Sequence, residues 1–91
     1  MSTHEAYQAL VIDQGTIIVN RTCSEASEAW HGLKLHAYGL TDRDTVAALQ
    51  RHWDSGYSTV RLVRRFNGRE LTYQVRTVSV DAKGNLVNDY L

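Results

Sequence analysis

His31, His36 and His52, with Cys23 or Asp54 to complete a set, are the residues that first invite a metal-site reading. Their spacing argues against it. His31 and His36 lie five apart, about 500° around a helix, whereas two ligands on one helical turn need a separation of three or four. Asp42 and Asp44 make an Asp-x-Asp pair, but at the start of a helix they are explained by capping and by the helix dipole. Cys23 at a helix N-terminus would be a candidate nucleophile. It also opens an apolar stripe, which makes it a buried structural residue. No glycine-rich phosphate loop or nucleophile elbow is present, and no carboxylate pair stands in a recognisable catalytic setting. No catalytic residue, metal ligand or cofactor site is therefore assigned, and an enzyme is the least supported class.

The cluster that remains is basic. Arg61, Arg65 and Arg76, with Tyr57 and Thr72 beside them and Arg64 or Arg69 near a turn, form a set that can hold phosphate, carboxylate or a stacked base. The plain alternative is a solvated sheet face, neutralised in part by Glu70. What gathers these residues is a hairpin over residues 57–80. Asn67-Gly68 stands between two alternating runs, and a two-residue type I′ turn needs positive φ at both positions, which Asn tolerates and Gly takes freely. Counting outward sets Arg65 opposite Glu70, Leu62 opposite Tyr73 and Val60 opposite Val75. One face then carries Val60, Leu62, Leu71, Tyr73 and Val75 and is the core side. The other carries Tyr57, Thr59, Arg61, Val63 and Arg65, with Glu70, Thr72, Gln74, Arg76 and Val78.

The rest of the chain must support that hairpin. Tyr7, Ala9 and Val11 alternate with Gln8, Leu10 and Ile12, Asp13-Gln14-Gly15 interrupts, and residues 16–20 are rich in β-branched side chains, so a first hairpin is expected, buried as a strand pair. Thr22 and Glu25 have capping-box spacing. From there Cys23, Ala26, Trp30, Leu33, Ala37 and Leu40 make one helical stripe, ended by Gly39 in the left-handed region. Leu33, Leu35 and Ala37 also alternate as a strand would, but the helical stripe is the longer match. Thr41 and Asp44 repeat the capping spacing before Val46, Leu49 and Trp53, the stripe of a second helix running to Gly56. A helix-turn-helix reading of this pair is disfavoured, because Asp42 and Asp44 in the first turn of the second helix would repel DNA phosphates. Residues 81–85 suit a turn with Gly84 left-handed, and 86–91 would return as a last strand. Val78 and Val80 oppose the core side, so either both sides are buried there or a bulge near Thr77 changes the facing.

The expected fold is α+β: a β-hairpin, two helices and a three-stranded meander (ββααβββ), an antiparallel sheet with the helices packed on one face. Residues 41–80 are similar in outline to the last helix and hairpin of a PDZ domain; the glycine-rich carboxylate-binding loop of that family has no counterpart here, so no residue role is carried over. The 91 residues make a single domain, 1–91, without proline, linker or repeat. Ten basic side chains balance ten acidic ones, so no global field recruits nucleic acid or membrane. With one cysteine, no leader-like start and no apolar run near the roughly 20 residues of a membrane helix, a cytoplasmic setting is expected. The function expected is a non-enzymatic interaction module that binds a protein partner, with an acidic surface, or itself as a homodimer, through its sheet. Its site residues would be Tyr57, Arg61, Arg65, Thr72 and Arg76. The alternatives are a nucleic-acid-binding protein using the arginine face and a small-molecule binder or enzyme with a pocket between helices and sheet.

Overall fold

Gln14 and Gly15 both take positive φ, 53° and 85°, and fold strand β1 (Thr3–Asp13) back on β2 (Thr16–Cys23). The computed structural model describes residues 3–87. After β2 come helix α1 (Ala26–Gly39) and helix α2 (Arg43–Asp54), then β3 (Val60–Phe66) and β4 (Arg69–Asp81). Asn67 and Gly68 have φ of 53° and 77°, and β3 meets β4 in the register counted from that turn, Arg65 against Glu70, Leu62 against Tyr73 and Val60 against Val75.

The two hairpins join through their long strands. β1 pairs antiparallel with β4 from Thr3 against Asp81 to Asp13 against Leu71, so the sheet runs β2-β1-β4-β3. The two turns are stitched together at one end. Gln14 N–H donates to the Glu70 carbonyl at 3.0 Å, Glu70 N–H donates to Gln14 Oε1 at 3.3 Å, and the Arg69 guanidinium pairs with the Asp13 carboxylate.

Alternation decides which side chains face the helices. Ala9 and Val11 from β1, Cys23 from β2, Val60 from β3, and Leu71, Tyr73 and Val75 from β4 form the core with Ala29, Trp30, Leu33 and Ala37 of α1 and Leu49 of α2. Fully burying a side chain such as Leu33 or Leu49 stabilises by about 1.5 to 3 kcal/mol. Trp30 and Trp53, one from each helix, meet with ring centroids 5.5 Å apart, and Trp30 Nε1–H donates to the Ser58 carbonyl at 3.2 Å, which ties α1 to the connection entering β3.

Several local expectations are corrected. Thr22 does not cap a helix: the ladder claims it, opposite Gln8, and α1 begins after Glu25, whose side chain caps nothing. A paired strand satisfies the same backbone groups that a cap would, and it does so over more residues. Cys23 is buried as expected, but at the end of β2. The alternation of Leu33, Leu35 and Ala37 belongs to a helix, with Leu33 and Ala37 inside and Leu35 exposed. α1 ends two residues later than Gly39 suggested: Thr41 takes φ 58°, Thr41 N–H donates to the Tyr38 carbonyl at 2.9 Å and Asp42 N–H to that of Ala37 at 3.0 Å. That is a Schellman ending with Thr41 in the left-handed place. The cap of α2 is Asp42, which accepts from Thr45 N–H at 3.2 Å and from the Thr45 hydroxyl, and not a Thr41–Asp44 box.

β4 runs straight through Thr77; the irregular register lies in the first hairpin, where Val11 faces Val19 and Ile12 faces Ile17, leaving Ile18 as the extra residue. Nor is that hairpin buried as a pair. β1 is central, but β2 is an edge strand, mostly exposed. The turn at 81–85 forms, with Gly84 at φ 84° and Asp81 N–H donating to the Asn85 carbonyl at 2.9 Å. Of the last strand expected over 86–91, a single bridge from Leu86 to Val80 is described, and residues 88–91 lie outside the described ones.

Candidate functional site

Both helices lie on one side of the sheet, so the even-numbered residues of β1 and β4 and the odd-numbered residues of β3 form a second face that neither helix covers, with Ala6, Gln8, Leu10 and Thr72 buried along its middle and the arginines exposed. Its cross-strand rows follow from register. Ile17, Ile12, Thr72 and Val63 make one row, Asn20, Leu10, Gln74 and Arg61 the next, and Thr22, Gln8 and Arg76 the third. Glu70, opposite Arg65, is the one acidic residue this pattern puts on that face among the described residues.

A hydrogen-bonded chain crosses three strands from Arg76 and Gln8 of the third row to Asn20 of the second. Arg76 Nε–H donates to Gln8 Oε1 at 2.7 Å, and Gln8 Nε2–H donates to Asn20 Oδ1 at 2.8 Å. Gln8 is only 2% exposed, and a buried amide needs such partners because leaving either end unpaired costs its desolvation. Arg76 is therefore anchored at its Nε while its residue as a whole stays exposed. Arg61 stands diagonally across from it on β3, and the two line one shallow depression of about 400 Å³ where β3 begins, with Thr59 and Gln74 beside them and Val60, Val75 and Thr77 lining it from the helix side.

The five residues expected at the site are thus divided. Arg61 and Arg76 come together. Arg65 shares their face but sits nearer the turn, opposite Glu70. Thr72 is on the same face and is buried, so its hydroxyl offers little to a partner. Tyr57 leaves the group. β3 starts at Val60, and Tyr57 sits in the connection before it with its ring 6.2 Å from that of His52 on α2. Arg69, a further candidate, is engaged with Asp13. Gln8 is what the sequence reading missed; Gln74 is on the face that the hairpin register gives it, opposite Arg61, though outside the five residues expected at the site. Gln8 shows itself only once β1 is known to pair with β4, a contact between residues almost seventy positions apart.

The histidines are scattered. His31 is exposed, His36 Nδ1 lies 3.2 Å from the Tyr73 hydroxyl, and His52 Nδ1–H donates to the Ala48 carbonyl at 2.8 Å. Among the described residues no three His, Cys, Asp or Glu side chains group as metal ligands would. Burial lowers the pKa of His36, and burial together with the nearby Asp42 carboxylate pushes Tyr73 up to about 12. Among the described residues no helix is long and apolar enough to cross a membrane.

No protein-family model matches this chain, and neither a curated protein nor a solved structure matches it.

Proposed function

We propose that the protein is a small non-enzymatic interaction module whose uncovered sheet face receives an acidic segment of a protein partner. The observation that carries the reading is the depression shared by Arg61 and Arg76, on a face where the strand register puts Glu70 as the one acid among the described residues. Guanidinium groups fixed along a strand suit carboxylates, since each fork can take two oxygens at once. Val63, 46% exposed between Arg61 and Arg65, and the half-buried Ile12 add apolar area for the centre of such a contact.

The test is a titration of a fluorescent oligo-glutamate peptide, and of single-stranded and duplex oligonucleotides, into the parent and an Arg61→Ala/Arg65→Ala variant. The peptide should bind the parent at low salt, weaken towards physiological salt, where charges are screened beyond about 8 Å, and lose most of its affinity for the variant. Oligonucleotide binding with a steep salt slope would instead favour the nucleic-acid alternative. If no probe binds at low salt, the reading of this face fails.

A second reading is self-association through β2. Ile17 and Ile18 on that edge strand are 55% and 46% exposed, and exposed apolar edges invite pairing with another chain. A homodimer should sediment at tens of micromolar, a working range for a weak dimer, and Ile17→Lys should shift it to monomer. Monomer alone from the parent counts against it.

A further inference from the structure

The outer side of the helix pair carries a groove of about 760 Å³. Each helix lines it with one stripe. α1 contributes His31, Lys34, Leu35 and Tyr38, and α2 contributes Arg43, Val46, Ala47 and Gln50, both at positions i, i+3, i+4 and i+7. Leu35 and Tyr38 are 54% and 60% exposed, although the other face of the same turns buries Leu33 and Ala37 in the core. Exposed apolar residues at that spacing are not needed to hold α1 on the sheet. Neither are the cations at the rim: Lys34 Nζ–H donates to Gln50 Oε1 at 3.0 Å across one end, and Arg43 is exposed at the other.

Charge selects the occupant. Among the described residues no carboxylate lines this groove; Glu28 belongs to the adjoining depression beside Trp30 and Trp53, which shares His31 and Lys34 with it, and Asp54, one turn beyond Gln50 on α2, accepts from Gln50 Nε2–H at 2.8 Å. Asp42, at the helix junction, is buried and engaged with Thr45. The groove therefore has an apolar floor and a basic rim along two helices. Its stripes run from i to i+7, about 10 Å at 1.5 Å per residue, the length of two turns. A third helix laid between two others buries residues at i, i+3 or i+4, and i+7.

The geometry points to a second docking site, in which α1 and α2 receive a short amphipathic helix of a partner protein, with apolar anchors on Leu35, Tyr38 and Val46 and acidic flanking residues on Lys34 and Arg43. This site lies on the opposite side of the molecule from the arginine face and does not depend on it.

The test is selection of a random 14-residue peptide display library on the intact protein, followed by affinity measurement of the enriched peptides as synthetic probes. Enriched sequences should pair apolar residues at helical spacing with Asp or Glu. Their affinity should fall at least tenfold in Leu35→Ser and in Arg43→Glu, both surface changes whose fold is checked by circular dichroism, and should stay unchanged in Arg61→Ala/Arg65→Ala. An empty selection overturns the inference, and so do enriched peptides that keep their affinity in both groove variants. A parent that sediments as a dimer and becomes monomeric in Leu35→Ser would overturn it as well, because the groove would then belong to a second copy.

Discussion

Arg76 Nε–H reaches across from β4 to Gln8 Oε1 on β1, 2.7 Å away, and so one of the three arginines of the uncovered face is part of the sheet's own hydrogen bonding. From the sequence, replacing Arg61, Arg65 and Arg76 together by Ala is expected to leave stability near that of the parent. The Gln8 contact alters that expectation. Arg76→Ala alone should destabilise by about 1 kcal/mol, the usual net worth of such a hydrogen bond, while Arg61→Ala and Arg65→Ala should change stability by less than about 0.5 kcal/mol. Urea melts of the three single variants measure this. Equal, small effects would mean that Gln8 finds water as readily as it finds Arg76.

Gly68→Val tests the turn that sets the second hairpin. A Cβ at Gly68 would meet nothing within 4 Å, so any cost comes from its φ of 77° and not from crowding. A β-branched residue in that region is strained, and the loss should be about 1 to 3 kcal/mol. A neutral result in denaturant would contradict the turn geometry.

That hairpin was legible because its information is local. Two turn residues fix the register, and alternation then assigns Arg61, Arg65 and Arg76 to one face and Leu62, Tyr73 and Val75 to the other. The helical stripe from Ala26 to Ala37 was legible for the same reason. Placing β4 between β1 and β3 was not, since nothing near Gln8 in the sequence points to Arg76. The misplaced caps have another cause. Thr22 and Glu25, and Thr41 and Asp44, meet a three-residue spacing that short polar stretches often meet by chance; strand pairing took Thr22 from the first pair, and Asp42 outcompeted the second. Tyr57 falls on the arginine face only if strand alternation continues three residues ahead of Val60, where β3 begins.

The end of α1 offers a test by sign. Gly39 is the last residue of the helix, without positive φ and with open space where a Cβ would go, whereas Thr41 holds the left-handed position. Gly39→Ala should therefore stabilise, by up to about 1 kcal/mol, through helix propensity and a less flexible unfolded chain. Thr41→Gly should also stabilise, by about 0.5 to 1 kcal/mol, as relief of left-handed strain exceeds the entropy that glycine adds to the unfolded state. Were Gly39 the left-handed residue, Gly39→Ala would destabilise instead. Thermal melts of the two variants decide between these.

His36 and Tyr73 give the protein a pH dependence whose direction follows from burial. The Tyr73 side chain is fully buried and its hydroxyl lies 3.2 Å from His36 Nδ1, an arrangement in which a neutral imidazole accepts the phenol proton. Burial lowers the pKa of His36 from 6.5, so between that value and the lower folded one the unfolded chain binds more proton than the folded chain does. Stability then rises with pH across this window. The contribution is complete above about pH 6.5 and is lost as pH falls through the folded value. On the alkaline side the sign reverses. Tyr73, raised from 10 to about 12 by burial and then by Asp42, favours its neutral form in the folded state, so its contribution is complete below pH 10 and fades as pH climbs towards 12. Urea melts from pH 5 to 8 should show stability falling on acidification in the parent. His36→Gln, which keeps an acceptor but cannot titrate, should flatten that fall, whereas Tyr73→Phe should cost about 1 kcal/mol for the lost hydrogen bond and keep the slope. An undiminished slope in His36→Gln would assign the acid sensitivity to other groups.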